Sequence, residues 1–422
     1  MGVLVTVTSL LLSTALLLLG HGMQLTLLPL RAGINGMPES LIGLSASCYF
    51  FGFVIGCLAV PRVIARVGHI RCFAVLAAIM VSALLCLEML DLWQAWMLLR
   101  FTTGVAVCGL YAVIESWLTS QSTPESRGRI LAVYTFITLA AMTGGQFLIN
   151  VGPIDSSIPF TLAAVFMALA IIPVGLTRRI APAPVQSTQS GFRLLFRRSH
   201  SAFFGALLSG LVVGSFWSLG AVFAGRVGQG PMHVTWFMSA AIAGGALFQY
   251  PVGWLSDRLD RRYILIALSL GGALSSVAVA LSAGHPWHLL AALLFGATVM
   301  PLYAISLATA ADVSSSEEFV AIGTSVLLLH AIGAVLAPLA LGPIMTQFGA
   351  TALFWASAVL CILFSCLLYG LTRKPRAISV EEQVPFNAAA AEVAPMSFEL
   401  DPRGPESDDV TEPAIGIDPK EQ

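Results

Sequence analysis

Charge is what this sequence has least of. Only 10% of its 422 residues are Asp, Glu, Lys or Arg, against about 25% in an average soluble protein. Apolar residues make up 57%. A water-soluble fold of this size would lack the charge to hydrate its surface, so the composition points to a chain whose main solvent is lipid. Enzyme signatures are missing too. There is no Walker phosphate loop, no His-Glu-x-x-His pair and no paired-cysteine site. An ion gradient is therefore expected as the energy source in preference to ATP. The seven cysteines (Cys48, Cys57, Cys72, Cys86, Cys108, Cys361, Cys366) are odd in number, lie in or beside apolar segments and have no metal-ligand spacing. They read as small apolar fillers. No cofactor, metal, catalytic residue or nucleic-acid partner is expected.

What the chain does have is long apolar runs. About 20 helical residues cross a bilayer core. Twelve stretches reach that length: 4–30, 39–60, 72–90, 93–119, 130–152, 158–176, 201–224, 232–252, 263–283, 287–311, 319–342 and 349–371. The first has no basic n-region, so it reads as a span and not as a cleaved signal. The expected fold class is an all-α membrane protein with twelve transmembrane helices.

The few charges are unevenly spread. From Ala377 onward there are eleven acids against Arg403 and Lys420. The rest of the chain carries nineteen basic and eleven acidic residues. With both termini inside, sixteen Arg and Lys fall in inner loops, and only Arg31 and Arg226 in outer ones. The positive-inside rule then sets the orientation. The longest internal loop, 177–200, holds five arginines and no acid, and Phe192 to Arg198 reads as a short amphipathic segment on the inner membrane face. This loop divides the spans six and six. The expected domains are a first bundle over 1–176, a linker over 177–200, a second bundle over 201–376 and an acidic tail over 377–422. The tail is expected to be disordered and dispensable for folding.

The densest charge cluster is Gly253-Trp254-Leu255-Ser256-Asp257-Arg258-Leu259-Asp260-Arg261-Arg262, set between two apolar spans. Its order resembles the loop signature of the major facilitator superfamily of secondary transporters, Gly-x-x-x-Asp-Arg-x-Gly-Arg-Arg. Asp260 stands where that family usually has Gly. The first half has a positional counterpart in Pro61 to Arg71, with Ala65 at the Asp position. Arg100-Phe101-Thr102-Thr103-Gly104 is similar to the family's Arg-x-x-x-Gly motif. Glu115-Ser116-Trp117 through Arg127-Gly128-Arg129 is similar to the YcaD-like bacterial branch. The resemblance spans about residues 4–372. It implies two pseudo-symmetric six-helix bundles that rock about a central site. It also implies a charge latch on the inner face, with Asp257 and Arg258 as the motif pair, Asp312 as a further partner, and Arg66, Arg261 and Arg262 around them. That latch is expected to favour an outward-open state. The N-half latch is expected to be weaker or to lean on Glu115.

Ionisable groups at membrane depth are costly and usually face a cavity or a partner. Arg100, His21 and His330 lie inside spans, and Glu115 lies near the inner end of span 4. In the family, the arginine of this motif is associated with proton coupling, so Arg100, Glu115 and His330 are the coupling candidates, with Glu115 favoured as proton acceptor. Spans 1, 4, 7 and 10 line the central path of that fold. This places His21, Gln24, Tyr111, Trp217, Ser218 and Tyr303 on the substrate path; a packing role is open for each. With few fixed charges there, a neutral, zwitterionic or amphiphilic solute fits better than a polyanion. The expected function is a secondary active transporter for a small solute, working by alternating access and coupled to protons, with efflux favoured over uptake. It is expected to be a monomer among membrane lipids of a bacterial inner membrane. A lipid or amphiphile flippase on the same fold, or a transport-dead membrane sensor, is the alternative.

Overall fold

The computed structural model describes residues 2–176, 191–228, 230–372, 379 and 381–386. Its described part is helical. The first half contains α1 (Gly2–Ile34), α2 (Glu39–Val67), α3 (His69–Met89), α4 (Trp93–Ser120), α5 (Pro124–Leu148), α6 (Ile158–Leu169) and α7 (Ile171–Gly175). A short amphipathic α8 (Phe192–Arg198) follows. The second half contains α9 (His200–Val227), α10 (Pro231–Ser256), α11 (Arg261–Leu281), α12 (His288–Val299), α13 (Pro301–Ala311), α14 (Ser316–Phe348) and α15 (Ala352–Thr372). Among the described residues, eleven helical segments are long and apolar enough to cross a membrane. The segment outside that set is α10, which is 26 residues long and holds no Asp, Glu, Lys or Arg. His233, Gln249 and two prolines lower its apolarity. Two spans are each made of two helices in succession: α6 with α7, and α12 with α13, where Pro301 opens the second piece.

Helices overrun the expected span ends. α2 continues to Val67 through Pro61, and α14 continues to Phe348 through Pro338 and Pro343. Proline interrupts a membrane helix less than a soluble one, because neighbouring helices satisfy the freed backbone groups. The loop counterpart expected from Pro61 onward therefore shrinks to a turn at Gly68, whose φ of 82° suits glycine.

The two halves are packed alike. α1 packs on α5, α2 on α4, and α3 on α4 and α6. The second half repeats this as α9 on α14, α10 on α12, and α11 on α12 and α15. Reciprocal glycines bring equivalent pairs into backbone contact. A Cβ on Gly104 would strike the Tyr49 carbonyl, and one on Gly52 would strike that of Phe101. In the second half Gly296 meets Ala241 and Gly244 meets Leu293 in the same manner. Small residues at such crossings let helix backbones close in without a hydrophobic driving force.

The basic loops lie on one face, here the basic face; the turn between α1 and α2 lies on the opposite, far face. The halves meet toward the far face. There Arg226 pairs with Glu39 at 2.8 Å, and the Ser40 N–H donates to Thr346 Oγ1 at 3.1 Å. Ser47 Oγ donates to the Val335 carbonyl at 2.7 Å, and Asn150 Nδ2 donates to Thr235 Oγ1 at 2.7 Å. Gly43 lies against Pro338, and Gly342 against Glu39 and Ser40. The far face is thus closed by contacts between the halves.

Candidate functional site: a cleft between the halves

Two clefts lie where α1, α2 and α4 of the first half face α9 and α14 of the second. The larger, about 430 Å³ with its open mouth, is lined by His21, Tyr49, Tyr111, Trp217 and His330 among apolar neighbours. The second, about 300 Å³ by the same measure, holds Arg100, Trp217, Ser218 and Ser45. Leu25 and Trp217 line both and so stand between them.

Tyr49 organises the first-half wall. Its Oη lies 3.3 Å from His21 Nε2, and the Arg100 guanidinium sits 4.3 Å above its ring centre. An imidazole, a phenol and a guanidinium are thereby joined across α1, α2 and α4. The close approach of α2 to α4 at Gly104 and Gly52 is what brings Tyr49 under Arg100. Arg100 thus finds an aromatic face for its partner, a favourable geometry for a cation in a desolvated place. On the second-half wall, His330 Nδ1 lies 2.8 Å from Ser209 Oγ, and its ring meets the Tyr303 ring edge-on at 5.2 Å.

The expected path residues divide. His21, Tyr111, Trp217 and His330 line the larger cleft, and Ser218 and Arg100 the second. Tyr303 supports His330 from behind. Gln24 is buried in α1, one helical turn from His21, and lines neither cleft. Tyr49 was missed by sequence reasoning. It is one aromatic in a Tyr-Phe-Phe run, and no local pattern marks it out.

Glu115 lies apart from the cleft lining. It is fully buried and accepts a hydrogen bond from Tyr134 Oη at 2.7 Å. Tyr111, one helical turn earlier on α4, is its link to the cleft. Arg66 is exposed and takes part in none of the ion pairs among the described residues.

The charge cluster at the α10–α11 turn has a different hub from the expected one. Arg261, 1% exposed, donates to Asp312 at 2.6 Å, to the Ala308 carbonyl at 2.8 Å and to Asp257 at 3.0 Å. Arg258 turns away, with its guanidinium 3.8 Å above the Trp254 ring. The Asp257–Arg258 pair is therefore corrected to Asp257–Arg261–Asp312. Arg258 sits on the turn itself, whereas Arg261 begins α11 facing α13. Asp260, at the position where Gly was usual, caps α11: it accepts from the Arg262 N–H at 3.0 Å and pairs with that side chain at 2.7 Å.

Part of the acidic tail joins this cluster. The Val384 N–H donates to Asp312 at 3.1 Å, the Phe386 N–H donates to Asp257 at 2.9 Å, and Arg261 donates to the Val384 carbonyl. The Phe386 ring covers Gly253. The reading of 377–422 as a free tail thus misses a docked segment at 383–386; most of that range, like 177–190 of the linker, lies outside the described residues. At the linker's end, Gly191 N–H donates to Ser325 Oγ at 2.7 Å and Arg198 pairs with Glu318 at 3.3 Å, so α8 rests on α14.

Helices packed in two repeated halves around a central cleft define a membrane transporter fold. The Major Facilitator Superfamily family model matches residues 10–228 and 202–400, and the chain belongs to that superfamily. An uncharacterised MFS-type transporter of Enterobacter sp. (strain 638) is 27% identical over 350 residues, 81% of this chain and 90% of the relative. The uncharacterised MFS-type transporter YcaD of Escherichia coli O17:K52:H18 (strain UMN026 / ExPEC) is 28% identical over 355 residues, 83% and 92% of the two chains. The chain thus falls in the YcaD-like branch. Among solved structures, the nucleoside transporter NupG superposes with a TM-score of 0.74 at 14% identity, covering 87% of this chain and 99% of NupG. A bacterial homologue of the human lysosomal transporter Spinster, in an inward-facing and unoccupied conformation, gives a TM-score of 0.66 at 14% identity, covering 87% and 96%. At these identities the likeness is one of fold.

Proposed function

We propose that this protein is a proton-coupled secondary transporter that carries a small solute through the cleft by alternating access. The single observation behind the coupling is that His21 of one half and His330 of the other line the same cleft. An imidazole can take up and release a proton, so each half supplies one group able to carry it. His21 is tied through Tyr49 to Arg100, so a change of charge at the imidazole is felt at the guanidinium. This moves the first choice of proton-bearing group from Glu115, which is held by Tyr134 away from the cleft, to His21. The closed far face and the central cleft fit one stage of a cycle in which each face opens in turn. The basic face is the cytoplasmic one on this reading, by the arginine bias.

The test uses proteoliposomes with a trapped pH indicator and a panel of small solutes. Some solutes are expected to evoke proton movement with the wild-type protein, and His21→Gln to abolish it. Solute uptake with no accompanying proton movement would overturn the coupling.

A further inference from the structure

We propose that the far-side cleft is a site for a small organic monoanion, an aromatic carboxylate, with Arg100 as the residue that holds the carboxylate. The inference rests on the transport reading above and names the substrate class of that same site.

Arg100 is 6% exposed, lines the cleft, and its Nη1 has no hydrogen-bond partner. No Asp or Glu lines either cleft, and Arg100 is in none of the ion pairs among the described residues. The ionisable side chains nearest it are the Tyr49 phenol, the Cys48 thiol and the His21 imidazole, none of which carries a fixed negative charge. A guanidinium at membrane depth is costly, and such groups are normally compensated by a partner. The Tyr49 ring supplies part of that compensation and leaves Nη1 without a partner. A carboxylate suits that position, because the planar fork of arginine is complementary to two carboxylate oxygens.

The rest of the site describes the body of the ligand. Trp96 and Trp217 line the same cleft as Arg100, with Leu25, Leu28, Pro29 and Ile42 around them. Such walls favour a flat apolar body. One permanent cation lines the cleft, so a single negative charge is matched and a second is not.

The experiment is a melting-temperature titration of the purified full-length chain with phenylacetate, phenylacetamide and phenethylamine. These three share a ring and differ in charge. Anything that binds the folded state raises its melting temperature. Phenylacetate is expected to raise it in a saturable manner while the amide and the amine do not, and acetate is expected to do so only weakly for want of a ring. Arg100→Gln is expected to weaken phenylacetate binding about tenfold or more, the size of a lost charge-assisted contact, and Arg100→Lys to keep part of it. Equal stabilisation by acid and amide overturns the proposal without recourse to any variant. So does wild-type affinity in Arg100→Gln, or failure of phenylacetate and indole-3-acetate alike to bind. Label distances across the two faces probe alternating access independently. Faces that switch while no carboxylate binds would remove this inference and leave the transport reading standing.

Discussion

The Arg261 guanidinium meets the Asp312 carboxylate at 2.6 Å, with the two side chains 1% and 8% exposed. Breaking such a pair from one side leaves a buried charge without its partner, at a cost on the order of 3–5 kcal/mol. Arg261→Gln is therefore expected to lower the melting temperature strongly. Arg258→Gln, which loses a stack on Trp254 and a hydrogen bond to its carbonyl at the surface, is expected to lower it little. Equal effects in thermal melts would place the hub back on Arg258.

The two acids of the turn do different work. Asp257 accepts from both Arg261 and the Phe386 N–H, so Asp257→Asn should loosen the cluster and release the tail. Asp260 is a helix cap, and caps are worth about 1 kcal/mol against Ala and a few tenths against Gly. Asp260→Ala should thus cost about 1 kcal/mol, and Asp260→Gly much less. A melting series of the three variants gives the order directly.

Truncation after Arg376 removes the segment at 383–386, with its hydrogen bonds to Asp312, Asp257 and Arg261 and the Phe386 ring over Gly253. Bonds to charged groups are worth about 1.5–3 kcal/mol each when buried, and Asp257 is partly exposed here. The expected loss is about 1–3 kcal/mol, read as a lower melting temperature, and Phe386→Ala should reproduce part of it. An unchanged melt would mean that the tail is dispensable, as its composition alone suggests.

Gly104→Ala drives a methyl group into the Tyr49 carbonyl and must push α2 from α4, at a cost of about 1–3 kcal/mol. It should also separate Tyr49 from Arg100. Gly296→Ala, the second-half counterpart, should cost as much and leave the cleft's first-half wall intact. Thermal melts size both changes. Phenylacetate binding, if carried by Arg100, should fall in the first variant and survive in the second.

Orientation has its own test. In a cysteine-free background, an impermeant thiol reagent added outside the cell is expected to label His285→Cys, on the far face, and to spare Arg71→Cys, on the basic face. The reverse pattern would invert the topology.

The spans were legible in the sequence because a bilayer imposes one length and one polarity on every crossing segment. The basic face was legible because charge bias needs only a count. The cleft was half legible: His21, Arg100 and His330 stand out as ionisable groups in apolar helices. Tyr49 does not, since its role exists only once Gly104 and Gly52 bring α2 and α4 into contact. The choice between Arg258 and Arg261 was equally hidden. It depends on where α11 starts, and the cap at Asp260 was the signal that would have placed Arg261 at the head of the helix. In the tail, Val384-Pro385-Phe386 is an apolar island in an acidic segment, and that island is the part found docked.

Alternating access is tested most directly by paired spin-label distances across the two halves. Ile34 and Phe348 are exposed at the far ends of α1 and α14, and Val67 and Leu259 at the basic end of α2 and in the α10–α11 turn. Doubly labelled protein in lipid should give two populations at each pair. The far-face distance should lengthen as the basic-face distance shortens when pH is changed or a solute is added. One fixed distance at each face under all conditions, or two distances that change in the same sense, would contradict the account.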